Sequence, residues 1–308
     1  MAPAAARGVR FAPSPTGRFH VGNLRTAWIS ERLARALGEP WVARFEDIDR
    51  PRVAEGAQER QLADMRLLAL VPDEIVAQSA RLERHFAVFQ KALATDIVYP
   101  CDCSRKAARA DLAGMASAPH EAVAAYGGRC RRRAGPPPLA SASLGWRFRA
   151  ADPSGRGDFL VGRGAGRGLD SFAPSYHWAC AIDDYDGRYR LLARAADLAA
   201  VAAGQREIQR WLAGQEGRDP AASIPAIFHA ALVTLDDGRR LEKRTRGATL
   251  DELARAGVGP EAVVSAFAAS AMIPSREQLE RDAVAGAILG EGREVLCWSE
   301  LFGGVALG

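Results

Sequence analysis

Residues 9–12, Val-Arg-Phe-Ala, are stopped by Pro13 and Pro15, and the chain then passes through a Gly- and Pro-punctuated loop into a run with apolar residues at helical spacing from about Asn23 to Leu37. A strand that turns so quickly into a helix is one unit of a nucleotide-binding sheet. The loop ends where the helix begins, and a helix N-terminus offers free N–H groups and the positive end of a dipole, which suit phosphate. His20 stands at that start, and Gly22 lets a nucleotide approach the backbone closely. A histidine there can donate to charge building on a departing pyrophosphate. An isolated His-x-Gly is more often a plain turn with a surface histidine, so the weight falls on the whole string.

The rest of the chain extends the pattern. Residues 41–46, Trp-Val-Ala-Arg-Phe-Glu, read as a second strand with a loop after it, and amphipathic helices are expected near 55–69 and 80–94. The fold class is therefore α/β, a Rossmann-like parallel sheet whose ligands sit at the carboxyl ends of its strands. Composition changes after about residue 96, where cysteines, arginines and Gly135-Pro-Pro-Pro-Leu139 gather. Residues 146–150 and 158–162 look like strands, and 162–168 is glycine-rich. Residues 178–184, Trp-Ala-Cys-Ala-Ile-Asp-Asp, read as a buried strand ending in carboxylates, 206–214 as an amphipathic helix and 224–235 as a strand. The expected organisation is a first half over 1–95, an inserted subdomain over 96–172, a second half over 173–248 and a mostly helical C-terminal segment over 249–308.

Charged residues interrupt every apolar run before the roughly 18 residues a membrane span needs. The start lacks the roughly 7–15-residue apolar core of a secretory signal, so a cytoplasmic protein with no membrane partner is expected. Net charge is a mild +4, but basic residues cluster at Arg129, Arg131, Arg132 and Arg133, and again at Arg239, Arg240, Lys243, Arg244 and Arg246. Such clusters can neutralise phosphates, or simply form solvated faces. Five cysteines in a cytoplasmic-looking chain argue against a disulfide scaffold. Cys101, Cys103 and Cys130 offer three thiolates where zinc usually takes four ligands, and chemistry alone nominates His120 as the fourth. Cys180 lies in an apolar run and reads as core.

Residues 10–27, Arg-Phe-Ala-Pro-Ser-Pro-Thr-Gly-Arg-Phe-His-Val-Gly-Asn-Leu-Arg-Thr-Ala, closely resemble the signature of class I glutamyl-tRNA synthetases and their short relatives. His20-Val21-Gly22-Asn23 stands where that family has its His-Ile-Gly-His-type motif, with Asn23 departing from the final histidine. Arg44-Phe-Glu-Asp-Ile-Asp49 is a second match, and the resemblance runs with gaps over roughly residues 8–250. It implies that Arg10, Ala12 and Ser14 line a glutamate site, that Glu46 binds the ammonium group, and that Tyr176 and Arg194 are further glutamate contacts. Arg10 agrees with the chemistry, since a guanidinium holds a planar carboxylate efficiently. After Arg194 the family usually has glycine, whereas this chain has Ala195.

Arg240-Leu241-Glu242-Lys243-Arg244 occupies the place of the second signature loop, Lys-Leu-Ser-Lys-Arg in the glutamyl group. The resemblance implies ATP binding by His20, Gly22, Asn23, Arg240 and Lys243, with Mg2+ accompanying ATP and with His20 and Lys243 as the catalytic pair. Glu242 replaces serine. A carboxylate about 4 Å from a phosphate, at an effective dielectric near 20, would be repelled by about 4 kcal/mol, and by far less if it points to solvent.

In the short tRNA-modifying relatives the metal site is Cys-x-Cys followed by Tyr-x3-Cys, and Tyr126 and Cys130 have that spacing. The resemblance therefore implies one structural Zn2+ per chain on Cys101, Cys103, Tyr126 and Cys130. About sixty residues follow the second loop, which is too few for the helical anticodon-binding region of a full glutamyl-tRNA synthetase. Together these features are similar to the glutamyl-queuosine tRNA(Asp) synthetases, which activate glutamate with ATP without tRNA and esterify it to queuosine in the anticodon of tRNA(Asp). A short glutamyl-tRNA synthetase charging tRNA(Glu), a small-molecule nucleotidylyltransferase and a non-catalytic tRNA-binding paralogue are the competing readings. Glu242 and Ala195 favour the last of these. Residues 251–308 match the family pattern poorly and receive no role, and no oligomeric state is implied.

Overall fold

The computed structural model describes residues 7–103, 126, 128–132, 144–152, 157–164, 168–239, 241, 249–284, 286–303 and 305. Two compact units emerge. One comprises Met1–Gln78, Arg188–Ala199 and Ala221–Gly308, and the other Ser79–Gly187 and Ala200–Pro220. The second unit reaches beyond 96–172 on both sides.

The first unit is built on six parallel strands: β1 (Val9–Phe11), β2 (Trp41–Phe45), β3 (Glu74–Ala77), β8 (Leu191–Ala195), β9 (Ala226–Ala230) and β11 (Ile288–Gly290). Their spatial order is β11-β9-β8-β1-β2-β3, so β1 is flanked on both sides. Parallel strands are covered on both faces, and successive side chains alternate between them. One face carries Val9, Phe11, Leu191, Ala193, Ala226, Phe228 and Ala230 into the main core, where they meet Val21, Leu24, Ala27 and Leu33 of helix α1 (Val21–Leu37). The other face carries Arg10, Arg44, Arg194 and His229, all buried. Helix α1 stops at Gly38, whose φ of +68° favours a residue without a Cβ, and the next N–H, of Glu39, closes on the Ala34 carbonyl at 2.9 Å.

Helix α2 (Ala57–Leu67) follows β2, close to the 55–69 expected. The stretch 224–235 is two strands rather than one. After β9 the chain breaks at Ala231 and resumes as β10 (Leu232–Thr234), which pairs with β12 (Val295–Cys297) in a separate two-stranded sheet. The break has a cause in hydrogen bonding: the Ala231 N–H goes to the Glu291 carboxylate at 2.7 Å instead of to a strand. Residues 249–308 are likewise less uniformly helical than expected. They contribute β11 and β12 beside four helices, Leu250–Arg255, Pro260–Ser270, Arg276–Val284 and Trp298–Phe302. Alanine-rich composition hides strands of three residues, which are too short to show a period.

The second unit carries an antiparallel sheet in the order β4 (Val98–Cys101), β5 (Gly145–Phe148), β6 (Phe159–Arg163) and β7 (Ala173–Pro174). Three helices share its core: α3 (Leu82–Ala94), α4 (Tyr176–Asp186) and α5 (Ala202–Gln215), with Phe89 stacked on Phe172 at 4.1 Å. Residues 178–184 are thus helical, against the expected strand. Ser175 caps α4 by accepting from the Trp178 N–H at 3.3 Å, and every residue from Trp178 to Tyr185 is buried. A helix buried all round loses its amphipathic period and reads like a buried strand. Of the two acids expected to end a strand, Asp183 meets His85 at 2.8 Å inside the unit. Asp186, two residues beyond that stretch, takes both Nε and Nη2 of Arg84 at 2.9 Å. Of the glycine-rich 162–168, residues 165–167 lie outside the described residues.

One buried ion pair ties the C-terminal segment into the first unit. Arg25, one turn into α1, donates to both oxygens of Glu291 at 2.7 and 2.6 Å and to Ser270 Oγ and O at 3.0 and 2.9 Å. Glu291 also accepts the Ala231 and Met272 N–H groups. Removing one partner of a buried pair strands the other charge. Glu291→Ala is therefore expected to cost about 3–5 kcal/mol in urea-induced unfolding, whereas a paired apolar replacement of Arg25 and Glu291 recovers most of that loss.

Candidate active site and metal centre

The loop between β1 and α1 is fixed from below by α2. Gln61, buried on that helix, donates its amide to the carbonyls of Ser14 (3.1 Å) and Gly17 (2.7 Å). Two further backbone bonds, Glu46 N–H to Pro13 O at 2.9 Å and Ala54 N–H to Pro15 O at 3.0 Å, tie it to the segment after β2. Arg18 reaches Asp64 of α2 at 2.9 Å and also pairs with Asp251. With its prolines pinned, the loop delivers His20 as the N-cap of α1, in extended conformation at φ −92° and ψ 165°. The Asn23 side chain accepts from the His20 N–H at 3.3 Å, so Asn23 in place of the motif's final histidine serves as a capping residue. Gly22 leaves room for the His20 ring: a Cβ there would lie 3.1 Å from both Cε1 and Nδ1, so the ring would have to give by a few tenths of an ångström.

The face of the sheet opposite α1 is charged. Register pairs Arg10 with Val42 and Leu192, which puts Arg10, Arg44 and Arg194 on the same face. They are 4%, 1% and 4% exposed. Arg44 donates to Glu46 at 3.3 Å, and Arg194 Nε donates to His229 Nε2 at 3.2 Å. Strands β1, β2 and β8 thus bring three guanidiniums and the carboxylate of Glu46 to one buried patch near the strands' carboxyl ends. A guanidinium binds a carboxylate with charge-assisted, bidentate geometry. Ala12 is half-buried and Ser14 exposed at the rim of the same strand end.

Five of the expected amino-acid contacts, Arg10, Ala12, Ser14, Glu46 and Arg194, therefore belong to the first unit, as do His20, Gly22 and Asn23. Tyr176 belongs to the second unit, where it begins α4 and is exposed. Arg240, Glu242 and Lys243 lie outside the described residues; Leu241 between them is buried in the main core. Three participants escaped sequence reasoning. Arg44 and His229 could have been found by strand parity with Arg10 and Arg194, whereas Gln61 carries no local signal.

The second unit holds the cysteine cluster. The sulfurs of Cys101, Cys103 and Cys130 lie within 4.8 Å of one another, with Cys103 and Cys130 at 3.5 Å. Two sulfurs on one tetrahedral zinc are roughly 3.8 Å apart, so the cluster has the right size for a shared ion. All three cysteines are free thiols. The Tyr126 hydroxyl is 3.8 Å from Cys101 Sγ and accepts the Cys130 N–H at 2.6 Å, which puts a fourth donor atom among the sulfurs. His120 and Arg133 lie outside the described residues.

Burial and one guanidinium set the protonation of the thiols in opposite directions. Burial, with the neighbouring thiols, pushes Cys103 up to about 12. Burial also raises Cys101, but the Arg147 guanidinium, donating to its sulfur at 3.2 Å, together with the Cys103 backbone N–H outweighs that and holds the thiol below its ordinary range. The same guanidinium lies over the Tyr126 ring at 3.7 Å. Not every arginine of the 129–133 cluster can serve nucleic acid: Arg131 is spent on Asp158 at 2.7 Å and on the Ala150 and Asp152 carbonyls.

Comparison with known proteins agrees with this geometry. Residues 8–132 match the family "tRNA synthetases class I (E and Q), catalytic domain". A glutamyl-Q tRNA(Asp) synthetase of Nocardia farcinica is 35% identical over 289 residues, covering 88% of this chain and 86% of that one. Another, of Deinococcus radiodurans, is 33% identical over 296 residues, covering 91% and 94%. Coverage that high runs past residue 250, so the alignment with these relatives extends into the C-terminal segment. Among solved structures, a glutamate-tRNA synthetase of Elizabethkingia anophelis shares the fold, with a TM-score of 0.65 and 20% identity over 96% of this chain and 69% of that one. Among the described residues no helix is long and apolar enough to cross a membrane. This degree of similarity over most of its length makes the chain a ligase-type enzyme that belongs to the glutamyl-Q tRNA(Asp) synthetase family of class I tRNA synthetases.

Proposed function

We propose that the chain activates L-glutamate with MgATP and transfers it to queuosine in the anticodon of tRNA(Asp). The observation that carries the first half is the buried face of β1, β2 and β8, which holds Arg10, Arg44 and Arg194, with Arg44 donating to Glu46. Glutamate brings two carboxylates and one ammonium, which is the complementary charge set. In this reading Arg10 and Arg194 take carboxylates, Glu46 takes the ammonium, and Ala12, Ser14 and Tyr176 line the remainder. The choice of acceptor is supported by the relatives, which are named for it.

The two steps are balanced without a covalent enzyme intermediate. An α-carboxylate oxygen of glutamate attacks the α-phosphorus of ATP, the bond to the β-phosphate oxygen breaks, and magnesium pyrophosphate leaves. A hydroxyl of the queuosine ring then attacks the acyl carbon, its proton passes to solvent, and AMP leaves. Positioning and charge stabilisation are enough for both steps. His20 at the N-cap, with Gly22 and Asn23 behind it, faces the phosphates, and Lys243 and Arg240 act on the β- and γ-phosphates by analogy with the family loop. The anticodon loop is an unstacked single-stranded target, open to recognition at base edges. Zinc on Cys101, Cys103, Tyr126 and Cys130 would hold β4 and the 126–132 segment together as a structural ion, with Arg147 offsetting part of the negative charge of four anionic ligands.

Labelled glutamate is expected on queuosine-containing tRNA(Asp) alone when tRNA(Asp) with and without queuosine is incubated beside tRNA(Glu). Label on tRNA(Glu) instead would make the chain a short glutamyl-tRNA synthetase, and no label on any tRNA would support a non-catalytic paralogue. Lys243→Ala should slow glutamate-dependent pyrophosphate exchange by about a hundredfold or more, the order for one transition-state donor; near-normal exchange would move that role to Arg240 or Arg244. Elemental analysis should find about one zinc per chain, and Cys103→Ser should lose it. A folded, metal-free native protein would contradict the zinc assignment.

A further inference from the structure

The second unit holds one buried carboxylate that no step of the proposed reaction uses. Asp158 stands immediately before β6, and its side chain is fully covered. Its Oδ1 accepts from Arg131 Nη1 at 2.7 Å and from the Ala150 N–H at 2.8 Å, and its Oδ2 accepts from the Tyr99 hydroxyl at 2.6 Å. Its backbone carbonyl accepts from Arg147 Nη1 at 3.2 Å. A buried carboxylate is costly unless charge-assisted hydrogen bonds compensate it, and this one is compensated on both oxygens.

Three of these donors lead to the cysteine cluster. Tyr99 lies two residues before Cys101 on β4. Arg131 follows Cys130 in the turn Arg129–Arg132. Arg147 donates to Cys101 Sγ at 3.2 Å and lies over the Tyr126 ring at 3.7 Å. Cys101 and Cys130 come from segments far apart in the chain, and Asp158 ties both segments to one fixed point. Ligands held in place beforehand bind a metal ion more tightly than ligands the ion must first order. We propose that Asp158 is a positioning residue for the metal centre, one anchor that presents Cys101, Cys130 and Tyr126 together before a metal ion arrives. This deepens the zinc assignment and rests on it.

The test is zinc retention by the full chain against a competing chelator, beside urea unfolding with zinc and with excess chelator. Asp158→Asn keeps the size of the side chain but offers one acceptor oxygen instead of two, and no charge. It should weaken zinc binding about tenfold or more, the order for an outer partner of a metal site. The zinc-loaded form should then lose more stability than the metal-free form. A merely structural carboxylate would destabilise both forms equally and leave the affinity as it was, and that result would overturn the proposal. Tyr99→Phe removes one hydroxyl and leaves the ion pair with Arg131 intact, so it keeps the question answerable should Asp158→Asn fail to fold. It should weaken zinc binding several-fold, and an unchanged affinity would overturn the proposal. Co2+ loaded in place of zinc should show altered visible absorption bands in both variants, because those bands follow ligand geometry. A native chain that binds no zinc would overturn the zinc assignment itself and this inference with it, whereas tight native binding with indistinguishable variants removes only the role of Asp158.

Discussion

The bidentate pair between Arg25 and Glu291 is the interaction on which the first unit depends. It joins three segments far apart in sequence: the first turns of α1, the break between β9 and β10, and the 270–291 stretch of the C-terminal segment. Each of its donors and acceptors is buried, so none of the three can shift without stranding charge. The helix that bears Gly22 and Asn23 is thereby held in register with β10, which leads toward the second signature loop. A segment with no legible role thus acts as a brace for the site rather than as an appendage.

Charge on the opposite face of the sheet follows a different logic. Arg25 and Glu291 neutralise each other permanently, whereas Arg10, Arg44 and Arg194 share one buried face of the sheet, on which Arg44 meets Glu46. Guanidiniums gathered on one face suit recognition of a carboxylate. In the second unit Cys101, Cys103 and Cys130 converge with Tyr126, a donor set that would gather negative charge around a metal ion. Arg147 moderates that charge while also packing over the tyrosine.

What the sequence made legible were features with local chemistry. The β1–loop–α1 unit announces itself through Pro13, Pro15, Gly22 and a helical run, and Cys-x-Cys with a third cysteine announces a metal cluster. What stayed hidden depends on partners distant in sequence. Gln61 matters only because α2 folds under the loop, and Glu291 only because Arg25 is buried opposite it. Residues 178–184 were misread because a helix buried on every side loses the period that distinguishes it from a strand. Arg44 and His229 were missed for a subtler reason. Strand alternation places them with Arg10 and Arg194, but the strand order that makes alternation useful is a tertiary fact.

The central claim is that the guanidinium face of β1, β2 and β8 binds glutamate for activation. Its most direct test is amino-acid-dependent ATP–pyrophosphate exchange by the purified chain without tRNA, comparing glutamate with glutamine and aspartate. The account predicts exchange with glutamate and little with the other two, since glutamine lacks the second carboxylate and aspartate holds it one methylene short. Exchange that is absent with glutamate, or equal with glutamine, would contradict it.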